Sequence, residues 1–181
     1  MSVGVKLTKN FSGMVNLSKA LRSAATGQGG FSGPFGAMYK QWAVRYSAFV
    51  RKRFNTYSRG GGDWEPLKDS TKKGRRKGKG SGNAAILKDT GTLFGALTIG
   101  SRGNLTDRIS AGVEFGFGGS DRHPDGTMTV KRLAEIHQKG SSRRNIPARP
   151  IIVMPDARTN RGMMSDMERA FKRRWMTGTE K

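Results

Sequence analysis

Two prolines bracketing Ala148-Arg149 place the tightest local constraint on this chain. Each proline locks its own φ and drives the residue before it, Ile146 or Arg149, toward extended geometry. Neither can donate to a sheet ladder, so Ile146 to Pro150 belongs at a strand entry or a sheet edge. The pair closes a longer stretch, IHQKGSSRRNIPARP, from Ile136 to Pro150. Its effect is to mount a long cation, Arg149, on a stiff support. Such a device suits a fixed contact, either within the fold or to a neighbouring subunit.

Hydrophobic periodicity organises the rest of the chain. Met38, Trp42, Tyr46, Phe49 and Val50 recur at helical spacing and predict a long helix from Phe35 to Asn55. That period assigns the aromatic stripe to the core rather than to base stacking. Residues 1–34 read as a flexible arm, in which Val15 to Ala25 forms a short helix. Residues 58–83 read as an extended basic loop. Its run from Lys72 to Lys79 holds six cations interrupted by glycines, which repel one another and disfavour a helix.

Beyond the loop, Asp89 or Thr90 caps a short turn at Gly91. Leu93 to Ile99 reads as a strand, and Ile109, Ala111, Val113 and Phe115 alternate as its hairpin partner. Met128 to Val130 begins a third strand. Leu133 to Gln138 is a short helix stopped by Gly140, and Ile151 to Met154 is a short apolar strand. Pro155 and Asp156 open a last helix carrying Met163, Met167, Phe171 and Trp175. The expected fold is α+β, one domain over residues 35–181. A small antiparallel sheet is packed by the long helix and the C-terminal helix.

Charge narrows the partners. The net charge is +21, from 34 Lys and Arg against 13 Asp and Glu. No acidic residue precedes Asp63, whereas the first 62 residues carry ten basic ones. Such a surface calls for a polyanionic neighbour, nucleic acid or an acidic protein face. The chain has no cysteine, which removes disulfides and cysteine-bearing zinc sites. No apolar run reaches signal-peptide or membrane-span length, so the expected compartment is cytoplasm-like and no membrane partner is expected.

Enzyme chemistry finds little support in the residues, and no catalytic residue, metal or cofactor is expected. The two histidines are His123 and His137. His123 lies between Asp121 and Asp125 on a Gly-rich segment, a superficial likeness to a metal site that fixes no coordination geometry. His137 reads as a hydrogen-bonded residue at a helix end. GRRKGKGSG lacks the spacing of a phosphate-binding loop, and no nucleophile elbow is present. A recognition helix or RNA-binding aromatic motif is absent too, so contact with DNA would be to phosphates and sensitive to salt.

Four segments in order carry a family likeness. They are Gly62-Asp63-Trp64-Glu65-Pro66-Leu67 with Thr71, then Ile86-Leu87-Lys88-Asp89-Thr90-Gly91-Thr92-Leu93, then Ile136-His137-Gln138-Lys139-Gly140, then Ile146-Pro147-Ala148-Arg149-Pro150. Together they resemble the phage virion morphogenesis family, the tail-completion group that includes the Mu G-like proteins. The likeness runs from Phe49 to Met154. It departs from the family where Leu133 stands in the aromatic position before His137, where the loop from Gly116 to Val130 is long, and where residues 1–34 have no counterpart.

The resemblance implies a structural virion protein of a tailed bacteriophage. Such a protein is assembled in the host cytoplasm and sits at the neck or head-proximal tail end. It implies a homo-oligomeric ring, sixfold or twelvefold by tail symmetry, that completes the tail and joins it to the head. Its partners would be other copies, neighbouring neck or connector and tail-tube proteins, and non-specific genomic DNA. The interface candidates are Trp64, Pro66 and Leu67 as loop anchors, and Lys72, Lys73, Arg75, Arg76, Lys77 and Lys79 as the basic run. Arg149 is expected to grip a carboxylate, in bidentate fashion. The alternative is a basic nucleic-acid-binding protein without sequence specificity.

Overall fold

Helices and one hairpin make up the regular structure of the computed structural model, which describes residues 11–26, 30–75, 84–109 and 112–177. The helices are α1 (Phe11–Ala25), α2 (Gly36–Ser58), α3 (Asp69–Gly74), α4 (Thr92–Gly95), α5 (Val130–Lys139) and α6 (Ala157–Thr177). The strands β1 (Asn104–Ile109) and β2 (Gly112–Phe117) pair as a two-stranded antiparallel sheet. The fold is α+β. Among the described residues no helix is long and apolar enough to cross a membrane.

Packing divides the chain into two compact units. The first comprises Met1–Arg45, Asp107–Glu114 and Asp156–Lys181, the second Tyr46–Thr106 and Phe115–Pro155. In the first, Ala20, Ala24, Phe35, Met38 and Ala170 form the core. Phe35 stacks on Phe171 at 5.1 Å between ring centres. The Trp42 indole donates to the Met163 carbonyl at 2.9 Å, and Arg45 holds the buried Asp166 carboxylate at 2.6 Å. Asp156 accepts from the Thr159 amide at 2.7 Å, which caps the start of α6.

The second unit carries the larger core, with Val50, Phe54, Trp64, Leu93, Leu97, Val130 and Ile151 among its buried residues. The helical stripe of α2 delivers Val50 and Phe54 to it, as its period predicts. At residues 92–95 the chain departs from the expected strand. Leu93, Ala96 and Leu97 are all buried, and that three- and four-residue spacing is satisfied by a helical turn. Gly91 enters with φ +74°, and the Gly95 amide reaches back to its carbonyl at 2.8 Å. The hairpin is therefore made later in the chain, by β1 and β2.

Two further strands expected from the sequence are replaced by smaller devices. Residues 128–130 contribute a single bridge, Arg122 to Thr129, before Thr129 caps α5 by accepting from the Arg132 amide at 3.2 Å. Ile151 to Met154 has no neighbouring strand among the described residues. Its partner is a side chain: Gln138 Oε1 accepts from the Ile151 and Ile152 amides at 2.8 and 3.0 Å, and Gln138 Nε2 donates to the Ile152 carbonyl at 2.8 Å. One amide thus imitates a strand edge. The basic run also begins as helix rather than loop. Lys72 and Lys73 lie in α3, where Asp69 in the first turn pairs with Lys72 at 3.2 Å and offsets the repulsion.

Candidate functional site

Helix α5 sets the geometry of the site in the second unit. Val130 and Ala134 are buried on its inner face, and His137 follows them at the next helical step on the same side. Gly140 ends the helix with φ +75°. A Cβ there would meet the Ala148 nitrogen at 2.8 Å and the Ile146 oxygen at 3.0 Å, so only glycine lets the returning chain pass this close. A short turn over Ser142–Arg144 then brings Ser141 and Ile146 into a bridge. The Arg149 amide closes back on the His137 carbonyl at 2.6 Å.

The proline bracket holds Arg149 in a fixed contact within the fold, as the sequence predicts, but it stands at neither a strand entry nor the edge of the β1–β2 sheet, and its cargo has a different acceptor. Arg149 Nε and Nη2 both donate to the Glu65 backbone carbonyl, at 3.0 and 2.9 Å, and Nη2 also reaches the Pro66 carbonyl at 3.5 Å. The fork is on a carbonyl of the same chain, not on a carboxylate. The reason is that Trp64 is sunk in the core with 4 % exposure, which turns the following carbonyls toward Arg149. Trp64 meets Phe54 and Tyr57 edge-on, and its indole donates to the Pro150 carbonyl at 3.2 Å. Arg53 donates to that carbonyl as well, at 2.5 Å.

These segments enclose a cavity of about 280 Å³. The first motif lines it with Glu65, Pro66, Leu67 and Thr71, and the second with Leu87, Asp89, Thr90 and Leu93. His137 comes from the third motif, and Ile146, Pro147 and Arg149 from the fourth. Segments distant in the sequence thus share one wall. Arg75 lines it too, pairing with Asp89 at 3.6 Å and donating to the Ala85 carbonyl at 3.0 Å. Lys72 and Lys73 lie on α3 outside the lining, Pro66 is exposed at the rim, and Leu67 is half-buried against the core. Arg76, Lys77 and Lys79 fall outside the described residues.

Both histidines reach this cavity. His123 is occupied at both ring nitrogens, by Asp125 at 2.8 Å and by the Thr90 hydroxyl at 3.0 Å. Asp121 faces elsewhere, accepting from the Gly103 amide at 2.7 Å and from Arg102 at 3.0 Å. The two carboxylates flanking His123 therefore do not converge on it. Among the described residues no group of three or more His, Asp or Glu gathers to hold a metal.

His137 is different. Its Nδ1 is buried without a hydrogen-bond partner. Burial lowers its pKa from 6.5 to about 4, and the Arg149 and Arg75 guanidinium groups push it the same way. Burial also lowers the pKa of Arg149, which stays charged nonetheless. Sequence reasoning placed His137 in a structural corner and missed its place beside Arg149. The available signal was the helical step from Val130 through Ala134 to His137. Comparisons of the chain with family models, curated proteins and solved structures find no match.

Proposed function

We propose that the chain is a structural virion protein of a tailed bacteriophage, a ring subunit at the neck or head-proximal tail end that completes the tail and joins it to the head. The observation that carries this reading is the ordered series of four motifs that resembles the tail-completion group. Their convergence on one cavity supports it, because a motif set serving one interface has reason to share one wall. Lys72, Lys73 and Arg75 begin the basic run, and Arg75 lies on that wall. On this reading the run meets an acidic neighbouring ring rather than the DNA, since several phosphate contacts together would hold the genome against ejection.

The test is electron microscopy of lysates from a phage whose copy of this gene is disrupted by an early stop. Filled heads and separate, unjoined tails are expected, with joined particles restored by the intact gene in trans. Normal joined particles from the disrupted phage would overturn the proposal. A second reading, a basic nucleic-acid-binding protein without sequence preference, is favoured by one observation, the net charge of +21.

A further inference from the structure

We propose that the cavity of the second unit is a binding site for the carboxylate of an acidic peptide segment on a partner protein, with Arg149 as its principal contact. Arg149 is 5 % exposed and lines the cavity. Its Nε and Nη2 are spent on the Glu65 carbonyl, whereas its Nη1 makes no hydrogen bond among the described residues. The Glu65 carboxylate acts on this guanidinium through space, but no carboxylate hydrogen-bonds to it among the described residues, which leaves the fork able to take one.

A second, independent group points the same way. His137 lines the same cavity, and its Nδ1 is buried without a hydrogen-bond partner. A neutral imidazole can place its proton on that nitrogen and donate it to an incoming anion. The local field already favours one, because Arg149 and Arg75 both act to keep His137 uncharged. Lining cations are Lys68, Arg75 and Arg149, against Glu65 and Asp89, so one monovalent anion brings the wall to balance.

The walls select the kind of anion. Leu67, Leu87, Leu93, Leu133, Ile146 and Pro147 present apolar surface around the charged groups. That surface suits a carboxylate carried on a carbon skeleton between apolar neighbours better than it suits a sugar-phosphate chain. The planar carboxylate also matches the arginine fork. The inference deepens the proposed virion role by naming the partner's chemistry, and rests on it only for the origin of the partner.

The test uses the purified full-length chain and no phage, so its failure leaves the disrupted-gene experiment standing. A blocked Leu-Glu-Leu tripeptide, its Gln counterpart, inorganic phosphate and a short DNA duplex are titrated by NMR at constant ionic strength. The Glu peptide is expected to shift the resonances of Arg149, His137 and Asp89, to raise the His137 pKa, and to bind on the order of tenfold or more tightly than the Gln peptide. Arg149→Gln, checked for folding by circular dichroism, is expected to abolish that difference. Equal binding of the two peptides, or no shift at these residues at millimolar peptide, would overturn the proposal. Phosphate or duplex binding at the same residues more tightly than the Glu peptide would overturn it as well.

Discussion

His137 converts its surroundings into a pH dependence whose sign is fixed. Its pKa in the folded chain is about 4 against 6.5 ordinarily, so as pH falls the unfolded chain takes up the proton first. The stabilisation is complete above pH 6.5 and is lost as pH falls toward 4, by up to about 3 kcal/mol from this one group. The facing charges are Arg75, Arg149 and Lys68, with Asp89, Glu65 and His123 on the same wall. Urea denaturation at stepped pH should show this decline in the parent chain and a flatter profile in His137→Gln. Equal slopes would remove His137 as the cause. At this scale the sequence spoke clearly of a clamped Arg149, since two prolines constrain the backbone whatever surrounds them. It was silent on the acceptor, because the Glu65 carbonyl reaches Arg149 only through the burial of Trp64.

Among the elements, those with long periodic stripes were legible: α2 and α6 lie where the spacing of apolar residues puts them, whereas α5 begins at Val130, ahead of the short helix expected from Leu133. The failures share a cause. Leu93 to Ile99 and Ile151 to Met154 are short apolar runs, which fit a strand and a buried turn equally well until their partners are known. The second run found its partner in Gln138, a residue that no strand pattern marks. Gln138→Leu removes both acceptor contacts and the donor contact at once, and should destabilise the unit by about 2–4 kcal/mol. The Ile151 and Ile152 amides should then exchange with solvent much faster by hydrogen-exchange mass spectrometry. Unchanged protection at both amides would assign the order of this segment to the prolines alone.

For the whole molecule, the α+β class was readable from the sequence of helical and alternating segments, whereas the division into two units was not. Its boundaries run through helix α2 and through the hairpin, so no linker composition announces them. Charge is the property most visible from composition and least informative about fold. It does set a measurable limit. If the cations serve a protein neighbour, affinity for short duplex DNA at about 150 mM salt should be micromolar or weaker. Tight binding there, with a steep decline as salt rises, would favour the nucleic-acid reading instead.

The Pro150 carbonyl receives both the Arg53 guanidinium and the Trp64 indole, one peptide beyond Arg149. That sharing makes Trp64 a label-free gauge of the turn. Its indole N–H gives a single resonance, well separated from backbone signals, whose position depends on the length of one hydrogen bond. Any event that pulls Arg149 toward or away from its support is transmitted through one rigid residue to that bond. The purified chain thus carries its own spectroscopic dial, once the Trp64 signal is told apart from those of Trp42 and Trp175.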